Sequence, residues 1–85
     1  MTAIPVRVMV EDAWDQVTLQ LLPSAPILDA KRQALMLTHT HGEPEDYLVK
    51  FRGAELFDES ATLSATGIIA NAALIVSPRR RRPVR

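Results

Sequence analysis

The chain begins with two stretches in which apolar and polar residues alternate. From Ile4 to Val10 nearly every second residue is apolar, which is the pattern of a strand with one buried face. The second stretch runs from Val17 to Leu22 and stops at Pro23, because proline cannot donate to a sheet ladder. A short polar segment, 11–16, joins the two stretches. The pattern therefore predicts an antiparallel β-hairpin.

The spacing of apolar residues becomes helical after Pro23. Pro26 is tolerated in a helix only within the first turn, so it fixes the helix start, and Ser24 is the expected N-cap. The helix is expected to fade near Thr38. Its apolar face is predicted to hold Ile27, Ala30, Ala34 and Leu35, and its polar face Lys31, Arg32 and Gln33.

The second half of the chain predicts three more strands and little helix. Tyr47 to Phe51 reads as a strand that Gly53 ends, and segment 54–68 as a short strand followed by a compact loop with one helical turn. Segment 71–77 is the last strand, ended by Pro78. This order predicts an α+β fold in which a mixed sheet of four to five strands packs on one helix. The expected core residues are Val6, Val8, Val17, Leu19, Leu21, Ile27, Ala30, Val49, Leu63, Ile68, Leu74 and Val76.

Length and composition narrow the class of protein. Eighty-five residues with 47% hydrophobic content indicate one folded domain. The absence of cysteine excludes a disulfide framework and thiolate chemistry. No apolar run approaches the roughly 18 residues of a membrane span, and the first residues lack the pattern of a signal peptide. A soluble, cytoplasmic protein is the expectation.

Charge is balanced overall but unevenly placed. The net charge is zero, yet five of the ten Lys and Arg residues lie in the last seven positions. Residues 1–78 then hold five basic and ten acidic residues, which makes them −5. Pro78 and Pro83 block regular structure at the end, and Val84 is the tail's one apolar residue. We therefore predict a folded domain over 1–78 and a basic, disordered tail over 79–85.

Four stretches, taken in their order and spacing, carry a family resemblance: "VTLQLLPSAPILDAK", "YLVKFRGAEL", "TLSATGI" and "NAALIVS". Over residues 4–79 the chain resembles the ubiquitin family, which implies the ubiquitin-like β-grasp fold. The family binds most partners through an exposed apolar patch around an isoleucine of the third strand. The resemblance places Lys50 at that position, with Trp14, Leu48, Ile75 and Ser77 flanking it. A charge at the centre implies that standard ubiquitin receptors do not recognise this surface.

The chain departs from the family's conjugated members at its C-terminal residues. Those members end in Gly-Gly, whereas here "SPRRRRPVR" follows the last strand. The resemblance therefore implies neither conjugation nor thiocarboxylate sulfur transfer. It implies a non-enzymatic module that binds a protein partner, and in this respect the chain resembles small bacterial ubiquitin-like proteins without Gly-Gly, including those that accompany secretion machinery. Two alternatives are left open: a modifier or carrier with an unconventional C-terminus, and a binder of nucleic acid or lipid through the arginine tail.

Three groups of residues are candidates for partner contact. Trp14 is either a binding anchor, since tryptophan is enriched among hot spots, or a ring that folds back over the sheet edge or packs against the tail. Met9, Leu48 and Ile75 form a candidate apolar patch. The arginines of the tail can bind an acidic protein, nucleic acid or an anionic membrane, or simply stay solvated. Nucleic acid and membrane are not favoured, because the acidic body repels polyanions and the tail lacks aromatic residues for stacking. The tail candidates are Arg79, Arg80, Arg81 and Arg82.

Little in the sequence points to chemistry. His39 and His41 lie two apart on a polar loop, which is a weak metal signal without further ligands. The hydroxyl residues Ser60, Thr62, Ser64 and Thr66 have the spacing of turn and cap residues. No glycine-rich phosphate loop is present. We expect a monomer without catalytic residues, metal or cofactor.

Overall fold

A mixed sheet of five strands forms the body of the protein in the computed structural model, which describes residues 2–40 and 42–79. Along the chain lie β1 (Ile4–Val10), β2 (Asp15–Leu21), α1 (Ile27–Leu37), a 3₁₀ turn (Pro44–Asp46), β3 (Tyr47–Phe51), β4 (Ala54–Glu55), α2 (Leu63–Thr66) and β5 (Ala72–Pro78). The predicted α+β fold, with its antiparallel hairpin, is confirmed.

The strand order is β2-β1-β5-β3-β4. At the centre β1 and β5 pair in parallel, from Val6 beside Ala72 to Val10 beside Val76. β2 pairs antiparallel with β1, and β3 pairs antiparallel with both β5 and β4. β2 and β4 are consequently the two edge strands of the sheet.

The core lies between α1 and one face of the sheet, as the alternation predicts. Eleven of the twelve expected core residues are buried, and the exception is Val17, which is half-buried near the start of β2. The fold also buries Val10, Ala34, Leu35 and Tyr47. Tyr47 is not among the expected core residues, but it lies two residues before Val49 on β3 and therefore points to the same face.

The start of α1 is satisfied by backbone rather than by the expected cap. Pro26, not Ser24, occupies the N-cap position and makes no side-chain cap bond. The amides of Ile27 and Leu28 instead donate to the carbonyls of Ala61 and Glu59, both at 2.9 Å. Because the segment before α2 supplies these acceptors, the helix start depends on a contact distant in sequence.

Lys31 corrects the predicted polar face of α1. Its side chain is 1% exposed, and its Nζ donates to the carbonyl of Tyr47 at 2.9 Å and pairs with Glu59 at 2.7 Å. A charge this deeply buried is tolerated because a carboxylate and a carbonyl face it. Of the two cations on α1, Arg32 is exposed and Lys31 is buried.

The hydroxyl residues before and within α2 act as caps and turn residues, as predicted. Thr62 Oγ1 accepts from the amide of Ala65 at 3.0 Å and caps α2. Ser60 donates its hydroxyl and its amide to Asp58. These bonds from Ser60, the hydroxyl foremost, hold the pKa of the Asp58 carboxyl below its ordinary value. Gly67 ends α2 in the left-handed region at φ 88°, where residues with a Cβ are strained.

Across residues 2–40 and 42–79, none of the helices has the length and apolar character needed to cross a membrane.

Candidate binding surface on the open face of the sheet

The face of the sheet opposite α1 has no helix over it among the described residues. Strand alternation places Met9, Ile75 and Lys50 on this face, and the register makes them neighbours across β1, β5 and β3. Ile75, at the middle of this row, is 38% exposed, and Met9 beside it is half-buried. An exposed aliphatic residue on the central strand is therefore accessible to a partner.

A shallow depression adjoins Ile75 toward the β3–β4 turn. It has a volume of about 460 Å³, and its walls include Lys50, Arg52, Ile69, Ala73 and Ile75. Lys50 and Arg52 are the charged residues that line it, and no carboxylate lines it in the described part of the chain. The depression therefore combines an apolar floor with a cationic rim.

Contacts with the body hold two cations of this face in place. Arg7 Nη2 donates to the carbonyl of Asn71 at 3.0 Å, and the Arg52 guanidinium lies 5.3 Å from the centre of the Phe51 ring. The second contact has the geometry of a cation–π pair. Because these side chains are already oriented, a partner would lose less entropy in ordering them.

The far end of the face, toward the β1–β2 hairpin, is less apolar. Leu48 is half-buried and lies opposite Ser77 on β5. Ser77 is itself buried, and its hydroxyl donates to Glu11 at 2.9 Å. Of the flanking positions that the resemblance suggested, Ser77 is thus engaged within the protein.

Trp14 lies apart from the depression, at the tip of the β1–β2 hairpin. It is 82% exposed and has φ 50°, a left-handed conformation that is unusual for a bulky residue. The hairpin that carries it is fixed to the sheet. The Glu11 amide donates to the Val76 carbonyl at 3.0 Å, and the Tyr47 hydroxyl donates to Asp12 at 2.7 Å. The ring does not fold back over the sheet edge, which was one of the two interpretations from the sequence.

We expect the Trp14→Gly variant to be more stable than the natural chain, by about 0.5 kcal/mol. The left-handed conformation costs a residue with a side chain roughly 1–2 kcal/mol, and glycine removes this cost. Part of the gain is lost because glycine has more conformational entropy in the unfolded chain. Urea unfolding followed by circular dichroism measures the change. Trp14→Ala is the control, because it removes the ring and keeps the strain. A glycine variant that is less stable than the natural chain, or no more stable than the alanine variant, would contradict the prediction.

Arg79 is joined to the body, whereas the sequence analysis placed it in the tail. Its amide donates to the carbonyl of Asp46 at 2.8 Å, its Nε donates to the carbonyl of Glu45 at 2.9 Å, and its Nη1 lies 3.5 Å from Glu55. The physical reason is that β5 continues its pairing one residue beyond Pro78. Arg80, Arg81 and Arg82 lie outside the described residues.

Metal-binding side chains do not gather at this surface. Within 2–40 and 42–79, no group of three or more His, Asp or Glu residues has the arrangement of a metal site. His39 follows α1 on the loop, and His41 lies outside the described residues.

No protein-family model and no curated protein matches the chain in sequence. Solved structures do match it in fold. A ubiquitin-like domain of the Arabidopsis thaliana protein At2g32350 superposes with a TM-score of 0.80 at 16% identity, over 100% of this chain and 86% of that one. A designed protein based on ubiquitin gives 0.80 at 18% identity, over 99% and 98%.

The ubiquitin of Caldiarchaeum subterraneum is similar as well, with a TM-score of 0.78 at 12% identity, over 95% of this chain and 99% of that one. The chain therefore has the ubiquitin-like β-grasp fold. The fold expected from the four sequence stretches is confirmed.

The structure adds residues to the candidate surface that sequence reasoning did not single out. Arg7 was visible as an outward residue of the first strand, so its place on this face could have been inferred. Arg52 lies in the β3–β4 turn at φ 56° and Ile69 in the irregular segment between α2 and β5, and no alternation pattern reaches them.

Proposed function

We propose that this protein is a non-enzymatic ubiquitin-like module that binds a protein partner non-covalently through the open face of its sheet. The observation that carries the proposal is the position of Ile75, exposed on the central strand beside a cationic depression. The Ile75 surface, as we call it, comprises Met9, Ile75, Ala73, Lys50 and Arg52.

Charge indicates the chemistry of the partner. Residues 1–78 are acidic overall, yet Arg7, Lys50 and Arg52 are three of their five cations and lie on or beside this face. Such a surface fits a segment with an aliphatic or aromatic anchor flanked by carboxylates. The charges would orient the partner, and burial of the anchor would supply most of the affinity.

Covalent attachment is not part of the proposal. Gly42, Gly53 and Gly67 are the three glycines, and no two are adjacent. Adjacent glycines would pass through the narrow channel of an activating enzyme because they have no side chains. This chain has no such pair to place there. Binding, rather than transfer of the chain, is therefore the mode that the residues support.

We expect the affinity of the Ile75→Asp variant for its partner to fall roughly tenfold or more, because a charge replaces the anchor at the centre of the interface. The test captures interacting proteins from the source cell on immobilised full-length chain and quantifies them by mass spectrometry. The control is Met36→Asp, which makes the same change at a residue on α1 that is also exposed.

A captured protein that is depleted on immobilised Ile75→Asp and retained on immobilised Met36→Asp would support binding through the Ile75 surface. Lys50→Glu should weaken binding of the same protein, since it reverses a charge on the rim of the depression. Equal retention on all three variants would overturn the proposal. So would a covalent adduct through the C-terminal carboxylate after incubation with an activating enzyme and ATP.

A further inference from the structure

The edge strand β2 is long and unprotected. It has seven residues, pairs with β1 on one side, and has no strand on its other side within the described part of the chain. The other edge, β4, has two residues. A long open edge offers backbone donors and acceptors to another strand.

Three residues of β2 direct their backbone groups outward. The amide of Glu11 donates to β5, and the carbonyl of Pro5 accepts from Asn71 before β5, so odd-numbered residues of β1 bond toward β5. The even-numbered residues of β1 therefore bond to β2, where their partners are Asp15, Val17, Leu19 and Leu21. The groups left facing the open edge belong to Gln16, Thr18 and Gln20.

The usual protection against edge pairing is missing. Proteins commonly place lysine, proline or a bulge on an exposed edge strand. Segment 16–22, QVTLQLL, has no charged residue and no proline, and β2 pairs with β1 in continuous register. Apart from Asp15 at its start, β2 is therefore uncharged, regular and open.

We infer that β2 pairs antiparallel with β2 of a second copy of this chain, about a two-fold axis at Thr18. Residues whose numbers add to 36 then face each other. Thr18 meets Thr18, Gln16 meets Gln20 and Val17 meets Leu19. All three outward-facing residues then exchange backbone hydrogen bonds with the second copy. Threonine pairs and matched amides are favourable across strands, and no like charges meet.

The residues that flank β2 favour a second copy over another extended segment. Trp14 precedes the strand and is 82% exposed, and Leu22 follows it and is 44% exposed. In the same register Trp14 of one copy lies beside Leu22 of the other, twice per dimer. Both exposed apolar residues are thus covered by one symmetric arrangement. The pairing gives Trp14 a role and departs from the monomer expected from the sequence.

This inference goes beyond the proposed function, because the β2 edge and the Ile75 surface are separate. Pairing joins two sheets side by side and leaves both open faces free. The dimer would present two Ile75 surfaces on one continuous sheet.

Sedimentation equilibrium on the full chain tests for the dimer. We expect the average mass to rise from 9.4 kDa toward twice that value with concentration. Thr18→Lys should restore the monomer mass, because it places two lysines face to face at the axis. Phe57→Lys, at an exposed residue that follows the opposite edge strand β4, is the control and should still dimerise. A monomer at every concentration, or equal effects of the two lysines, would overturn the inference.

Crosslinking tests the register, since the chain has no cysteine of its own. In the Thr18→Cys variant the two substituted residues would face each other at a Cα separation of about 5.5 Å, which lies within the range of a disulfide. In the Gln16→Cys variant, which changes a residue on the same edge and face, the two substituted residues of the dimer would lie roughly 14 Å apart. Rapid dimer formation by Thr18→Cys alone supports the two-fold. Equal rates for the two variants would overturn it, whether they reflect collision or binding in another register.

Discussion

Removal of the Glu59 carboxylate should destabilise the protein by roughly 3–5 kcal/mol, because it leaves the Lys31 charge buried without its counter-ion. Lys31 Nζ lies 2.7 Å from Glu59 Oε1, and the lysine is almost inaccessible to water. Once Glu59→Ala is made, the carbonyl of Tyr47 is the remaining partner shown for this ammonium. Urea unfolding followed by circular dichroism measures the change in the free energy of unfolding.

The control is Glu55→Ala, which removes the carboxylate 3.5 Å from Arg79. Both members of that pair reach solvent, so its loss should cost only about 0–1 kcal/mol. The double variant Lys31→Met with Glu59→Leu removes both charges, and we expect it to recover most of the loss. A Glu59→Ala variant no less stable than Glu55→Ala would show that the buried pair does not hold α1 against the segment before α2.

Leu19→Ala should lower the free energy of unfolding by roughly 2–5 kcal/mol, since it removes buried methyl groups and leaves a cavity. Leu19 is almost fully buried, lies beside Val6 in the hairpin register, and faces α1. A domain of this size has a total stability of only about 5–15 kcal/mol, so such a loss is a large fraction of it.

Gln20→Ala is the control for Leu19→Ala, because the neighbouring residue is on the same strand and exposed. Its effect should stay within about 0.5 kcal/mol. Thermal and urea unfolding both report the difference. If the two alanine variants were equally stable, β2 would not contribute its inner face to the core.

Much of the fold was predictable because alternation reports burial directly. Val6 and Val8, like Leu74 and Val76, are two residues apart on their strands, and each is buried in the sheet. Local pattern cannot report a partner that lies far along the chain. Lys31 resembled a surface residue because its counter-ion is 28 residues away, beyond any helical or strand period.

The candidate site was predictable in part for the same reason. The outward direction of Ile75, Leu48 and Lys50 follows from the phase of two strands. The depression beside Ile75 does not, because Arg52 and Ile69 reach it from segments outside the strands. Arg79 was assigned to the tail on composition, and its bonds to Glu45 and Asp46 depend on the register of β5 against the end of the 3₁₀ turn.

The central place of β5 in the sheet has a consequence for how the protein folds as it is synthesised. β2 and β1 form one half of the sheet, β3 and β4 form the other, and β5 alone joins them. Each pair between β1 and β5, such as Val6 with Ala72, spans 66 residues. Such distant pairing is slow to form, because the entropy of closing the loop is lost before the contacts repay it. A nascent chain therefore carries two unjoined half-sheets with exposed apolar faces until β5 leaves the ribosome, and folding of the domain waits for the strand that is made last.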